Sequence, residues 1–215
     1  MIYVGIVGLG GMGTVHFHNY QHIRGCKVKA AVVNTEVGRE KAKEFGLKAY
    51  PTIKAMVEDE EIDVVDVCTP TYLHKEHVEE ALTYKKHVFV EKPIALRKQD
   101  AEEMYALAEQ KQCQLFVGQV LQFTKETEIL REFVRTEKLG RPLDGYFWRL
   151  SSAPKWSAGG WLFDRGKSGL IPFDLHIHDL DLIINLFGKP DSYTFTSCRR
   201  EGMDYEDAYR FQYKY

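Results

Sequence analysis

The feature that most constrains this chain is a glycine-rich hexamer, Gly8-Leu9-Gly10-Gly11-Met12-Gly13, set directly behind an apolar run and ahead of a helical pattern. The run, Tyr3–Val7, reads as a buried strand, and residues 12–24 carry helical spacing. A lone G-x-G-x-x-G is a weak signal because glycine-rich turns are common, but between a strand and a helix it has a mechanism. Gly8 permits the tight turn, Gly10 lets backbone approach a diphosphate, and Gly13 lets the helix pack on the strand. With Gly11 and Met12, these residues would present unpaired N–H groups at the positive end of the helix to anionic oxygens.

The grammar around the hexamer repeats. Strand-like runs at Val28–Val33, Val64–Cys68, His87–Val90 and Leu115–Val117, with a weaker one at Lys48–Tyr50, alternate with helical patterns at 36–45, 53–58, 72–84 and 98–111. Alternation of this kind predicts βαβ units and a parallel sheet. Val64-Val65-Asp66-Val67-Cys68 is almost wholly apolar, as a strand covered on both faces requires. Residues 1–120 are therefore expected to form a doubly wound α/β domain of the Rossmann type.

After Gly118 the pattern changes. A helix over about 125–138 is stopped by Gly140 and Pro142, and a strand is expected over Asp144–Ser152, where Tyr146, Trp148 and Leu150 alternate. A loop (Pro154 to Gly169), a helix over about 173–187 and strands at 192–198 and 207–215 complete an α+β segment, 121–215, with a mainly antiparallel sheet. Because Tyr209–Tyr215 reads as a strand with nothing after it, this second domain is expected to be truncated.

Charge excludes some functions. Lys+Arg is 29 against Asp+Glu 31, so no bulk positive field draws in nucleic acid or an anionic membrane, and any anion must be held by local geometry. No apolar run nears the ~18 residues of a membrane span. The four cysteines, Cys26, Cys68, Cys113 and Cys198, are widely spaced and read as reduced thiols, which points to the cytoplasm.

Two positions bear on what the cradle would hold. The second strand usually ends in an acid that accepts from the adenosine ribose; Asn34 stands there and would not repel a 2′-phosphate, so NAD and NADP both remain open. Arg39 falls inside the next helix, where a surface role is expected. At the end of the fifth strand stands Glu91-Lys92-Pro93, where an open parallel sheet has its ligand crevice; Lys92 could donate to a cofactor or substrate hydroxyl.

The segment from Asp174 to Asp181 carries the acid and base candidates. On one continuous helix Asp174, His178 and Asp181 would share a stripe, so a carboxylate could orient an imidazole as general base. His176 and His178 would then point roughly 200° apart, which argues against a shared metal; no metal is expected.

Taken together, Gly8–Gly13 with His16, Cys68-Thr69-Pro70-Thr71-Tyr72-Leu73-His74, His87–Pro93 and Asp174–Asp181 make the chain resemble the glucose-fructose oxidoreductase and inositol dehydrogenase family, Gfo/Idh/MocA, along its full length. The resemblance implies that Thr69, Pro70, Thr71 and His74 flank the nicotinamide half of NAD or NADP, with Glu91 and Lys92 near its ribose. It implies that Asp174 and His178 are catalytic, with Lys92 as the third group, and that a longer second domain often carries a dimer interface, so that a homo-oligomer is expected if that domain is complete. It further implies hydride transfer with a carbinol carbon of a sugar, inositol or related polyol. An NAD-dependent glycosidase of the same family, or a non-catalytic dinucleotide-binding regulator, are the alternatives. Leu170, Gln119 and Gln122 depart from the family pattern in loops that border the substrate. Gln119, Trp156, Trp161 and His176 are the substrate-contact candidates, the tryptophans either stacking on a sugar or burying themselves.

Overall fold

The computed structural model describes residues 1–155 and 157–215, so Trp156 lies outside the described residues. The chain divides into two compact units, Met1–Gly118 and Gln119–Tyr215.

The first unit is built on six parallel strands: β1 (Ile2–Val7), β2 (Cys26–Val32), β3 (Lys48–Tyr50), β4 (Val64–Val67), β5 (His87–Val90) and β6 (Leu115–Val117). Their order, β3-β2-β1-β4-β5-β6, reverses at β1/β4, which opens the ligand crevice of a doubly wound sheet at the carboxyl ends of those strands. Five helices connect them: α1 (Gly11–Tyr20), α2 (Glu36–Glu44), α3 (Ile53–Asp59), α4 (His74–Thr83) and α5 (Lys98–Lys111).

Strand alternation sends side chains to two buried clusters. Val7, Val32, Val65, Val67, Val88 and Val90 pack with α3, α4 and α5 through Met56, Leu82 and Met104. Val4, Ile6, Val28 and Ala31 pack with Phe17 of α1 and Ala42 of α2. Asp66, between Val65 and Val67 and fully buried, takes the opposite face from its neighbours. Helix starts are chemically marked: Thr35 and Thr52 accept from the N–H groups of Gly38 and Ala55 at 3.1 Å.

The second unit contains α6 (Lys125–Thr136), α7 (Arg165–Ser168), α8 (Leu170–Asp174), α9 (His176–Phe187) and the antiparallel pair β7 (Ser192–Cys198) and β8 (Ala208–Lys214). Two sequence expectations fail here. Residues 144–152 form no strand: they are irregular, and Tyr146, Trp148 and Leu150 are exposed. Alternation places side chains but supplies no ladder, and in this unit β7 and β8 pair with each other. The helix expected over 173–187 begins at Leu170 and breaks at Leu175, which separates α8 from α9. The His178 N–H bonds Leu175 O rather than the carbonyl one full turn back, so the regular i, i+4 register does not run from Asp174 to His178.

Candidate functional site

At the β1–α1 junction the hexamer has two kinds of glycine. Gly8 adopts φ +92°, a conformation that favours glycine. A Cβ on Gly13 would lie 1.9 Å from Gly8 O, so the helix meets the turn only through a bare backbone. Gly10 and Gly11 are not constrained in this way, since a Cβ on either would meet nothing within 4 Å. The absence of side chains there serves access. Gly10 is the N-cap of α1 without a side-chain cap, and the first turn of α1 carries no acid. The leading N–H groups of a helix lack intrahelical partners, so this junction fits a diphosphate.

At the end of β2, exposed Asn34 lines a cleft with Val33, Arg39, Ala49, Tyr50 and Pro51. The Arg39 guanidinium binds Glu36 Oε2 through Nε and Nη2 at 3.0 and 2.7 Å.

The ends of β4 and β5 are tied together. Thr71 and His74 are buried, and the ring nitrogens of His74 lie 2.9 Å from Pro93 O and from Thr69 O. Burial pushes the His74 imidazole below its ordinary range. Its polar atoms are thus engaged by the backbone, and His74 braces the Thr69-Pro70 and Lys92-Pro93 turns. Thr69 Oγ1 sits 3.1 Å from His77 Nδ1. The Lys92–Pro93 peptide is cis.

Beneath these turns lies a group of charges. His16 Nδ1 is 2.9 Å from Asp66 Oδ2, and its Nε2 is 2.9 Å from Glu91 Oε1. The Cys68 thiol donates to Asp66 Oδ1 at 3.4 Å and lies 3.2 Å from His16 Nδ1. Burial works to lower the His16 pKa, yet the hydrogen bonds and charges of Asp66 and Glu91 outweigh it and raise it to about 10. Burial works to raise the pKa of Glu91, but the His16 bond and charge and the Lys92 N–H hold it below its ordinary value. Burial and the neighbouring carboxylates push the Cys68 thiol well up. Sequence reasoning placed Asp66 only in an apolar strand; a carboxylate inside a strand covered on both faces was itself the signal, since such a group needs a partner.

In the second unit, Asp174 ends α8 and His178 lies in the first turn of α9, both half-buried. Asp181 receives hydrogen bonds from Gln122 Nε2 to its carboxylate and, at 3.2 Å, to its carbonyl, while Gln122 Oε1 accepts from Arg131 at 3.0 Å. Gln122 and Asp181 therefore join the short 3-10 turn Val120–Phe123, which precedes α6, to α9. Arg149 grips Asp179 with bonds of 2.7 to 3.1 Å. His176 stacks on Phe211 at 4.0 Å between centroids and bonds the Tyr213 hydroxyl at 2.6 Å, which fastens α9 to β8. Trp161 is half-buried, and Gln119 Oε1 is a buried acceptor.

Comparison with known proteins places these features. Residues 2–119 match the model of the oxidoreductase family with an NAD-binding Rossmann fold, Gfo/Idh/MocA, and residues 127–215 match a C-terminal domain of the same family. The chain belongs to the Gfo/Idh/MocA family. Among curated Gfo/Idh/MocA relatives, myo-inositol 2-dehydrogenase of Thermotoga maritima is 32% identical over 86% of this chain and 55% of its own length. The 2,7-anhydro-N-acetylneuraminate hydratase of Escherichia coli is 30% identical over 90% of this chain and 52% of its own. The chain thus spans about half the length of these relatives. A probable dehydrogenase from Thermotoga maritima superposes with a TM-score of 0.77 at 29% identity, covering 91% of this chain and 58% of that one.

Proposed function

We propose that this Gfo/Idh/MocA chain holds a nicotinamide dinucleotide along the carboxyl edge of its parallel sheet and exchanges hydride with a carbinol carbon of a sugar, inositol or related polyol. The observation that carries the reading is the placement of two turns on one sheet edge. The open glycine turn follows β1, and the Glu-Lys-Pro turn follows β5, two strands away across β4. That separation is roughly 10 Å at the ordinary strand spacing. Gly10, Gly11 and Met12 would present backbone N–H groups to the diphosphate, and Asn34 would meet the adenosine ribose. Thr69, Pro70 and Thr71 would border the far end.

When bound, the nicotinamide supplies the hydride-accepting carbon. In the proposed reaction Lys92 donates to the reacting oxygen and His178 takes the hydroxyl proton, with Asp174 holding the imidazolium. Because α8 and α9 are separate helices, the Asp174–His178 pairing rests on the family pattern rather than on a shared helical stripe. Gln119, Trp161 and His176 remain substrate-contact candidates, although one face of the His176 ring is taken by Phe211 and its Nε2 by the Tyr213 hydroxyl. The unpaired cysteines support a reducing, cytoplasmic setting.

A second reading is favoured by one observation: a relative is named a hydratase, a reaction without net redox change. Here NAD would be oxidant and then reductant within one turnover, as in the glycosidase alternative. A panel of sugars, inositols and anhydro-sugars with NAD and NADP, followed both by absorbance and by product analysis, separates the two. Net NADH formation supports the dehydrogenase; product without NADH supports transient oxidation. Lys92→Ala is expected to lower kcat by roughly 100-fold or more. Wild-type turnover in that variant would remove Lys92 from the site.

A further inference from the structure

The buried charges below the two turns have no part in the proposed chemistry, yet they join the elements that carry it. His16 lies on α1, one turn beyond Gly13; Asp66 lies on β4; Glu91 directly follows β5. We propose that His16 is a positioning residue: bonding Asp66 with one ring nitrogen and Glu91 with the other, it sets the Glu-Lys-Pro turn, and with it Lys92, against the glycine-rich turn. The importance given to Lys92 rests on the dehydrogenase reading; the bridge itself does not.

Three observations build the case. Each ring nitrogen lies 2.9 Å from a carboxylate oxygen, so a ring that satisfies both acceptors must carry both protons. The second oxygen of Glu91 accepts the Lys92 N–H at 3.1 Å, so one carboxylate links the imidazole to the backbone of Lys92. Space for that carboxylate is kept by Gly118 after β6, where a Cβ would stand 3.2 Å from Glu91 Oε1. The groups facing the ring are Asp66, Glu91 and the Cys68 thiol, with the Phe89 ring 5.8 Å away edge-on. Their net charge with a cationic ring is one negative, and the elevated His16 pKa of about 10 keeps the bridge closed at neutral pH. His16, Asp66 and Cys68 are also donors of the kind that ligate metals. They lie 2.9 to 3.4 Å from one another, and in the proposed bridge the ring proton would take the place an ion would need.

The test uses the full chain labelled uniformly with nitrogen-15. At pH 8 both ring nitrogens of His16 are expected to be protonated. In His16→Gln the Lys92 amide should exchange with solvent roughly tenfold faster. On a polyol turned over by the wild type, kcat should fall by roughly 10- to 100-fold, while NADH affinity, set by the glycine turn, stays within about threefold. A singly protonated ring at pH 8, a bound metal in place of the ring proton, or wild-type exchange at Lys92 in folded His16→Gln would overturn the proposal. If His16→Gln does not fold, the wild-type titration decides, because the Lys92 amide shift must then follow the His16 ring. If no polyol reacts, the dehydrogenase reading fails while the ring and amide measurements still decide the bridge.

Discussion

At the scale of single residues, the burial of His16 has a thermodynamic signature. Its imidazolium gains two carboxylate partners on folding, and its pKa rises from an ordinary 6.5 to about 10. A group whose pKa is raised in the folded state contributes stability that is complete below its unfolded pKa and is lost as pH rises through its folded value. Glu91, held below its ordinary range by the same contact, contributes above its unfolded pKa and loses that contribution in acid. The two windows overlap between about pH 5 and 6.5. Stability of wild type relative to His16→Gln should therefore be greatest there, on the order of 3 kcal/mol for a buried pair deprived of one partner. The gap should close as pH rises toward 10. Urea unfolding at a series of pH values measures it; a gap that stays constant from pH 6 to pH 10 would contradict the assignment.

At the scale of elements, the strand-to-helix junction separates a folding requirement from a binding one. Gly13→Ala forces a Cβ into Gly8 O and should cost about 3 kcal/mol or more, with loss of NADH binding following from the displaced helix. Gly10→Ala meets nothing in the free chain, so its stability should stay within about 1 kcal/mol while NADH affinity drops roughly tenfold or more. Calorimetry on both variants checks the contrast, and equal effects on stability would undo it. What the sequence disclosed follows the same division. The strands of the first unit were legible because burial on both faces writes a continuous apolar run, and Val64–Val67 shows it plainly. Even β3 was visible through Lys48-Ala49-Tyr50, although it is only three residues long. The aromatic alternation at 144–152 was misread because a strand depends on a partner, which no local pattern encodes. The break at Leu175 left no glycine or internal proline signal at that position, so spacing alone projected an unbroken stripe through Asp174 and His178. The glycine turn and Lys92 could be read from type and order, whereas the links from His16 to Asp66 and Glu91 span 50 and 75 residues and exist only once the sheet has formed.

For the molecule as a whole, the two units differ in how completely they bury their own apolar surface. Both large buried clusters belong entirely to Met1–Gly118, where helices of that unit pack on both faces of the sheet and Phe116 of β6 stays exposed. Among the described residues of Gln119–Tyr215 the buried apolar side chains are Leu162, Leu170, Leu182 and Ile183, while β7 is exposed along its length. A segment with two large buried clusters of its own should fold without the rest of the chain. The glycine turn, Asn34, the Thr69–Thr71 turn, His16 and the Glu-Lys-Pro turn all fall within it. A chain ending at Gly118 is therefore expected to unfold cooperatively and to bind NADH within about tenfold of the affinity of the 215-residue protein, since binding to the native state alone is what links the two. At a ligand concentration of about 100 Kd the shift in stability would be about 2.7 kcal/mol, readable as a rise in Tm. A cooperative fragment whose Tm ignores NADH would mean that essential dinucleotide contacts come from beyond Gly118, and an uncooperative one would mean that residues 1–118 are not an independent folding unit.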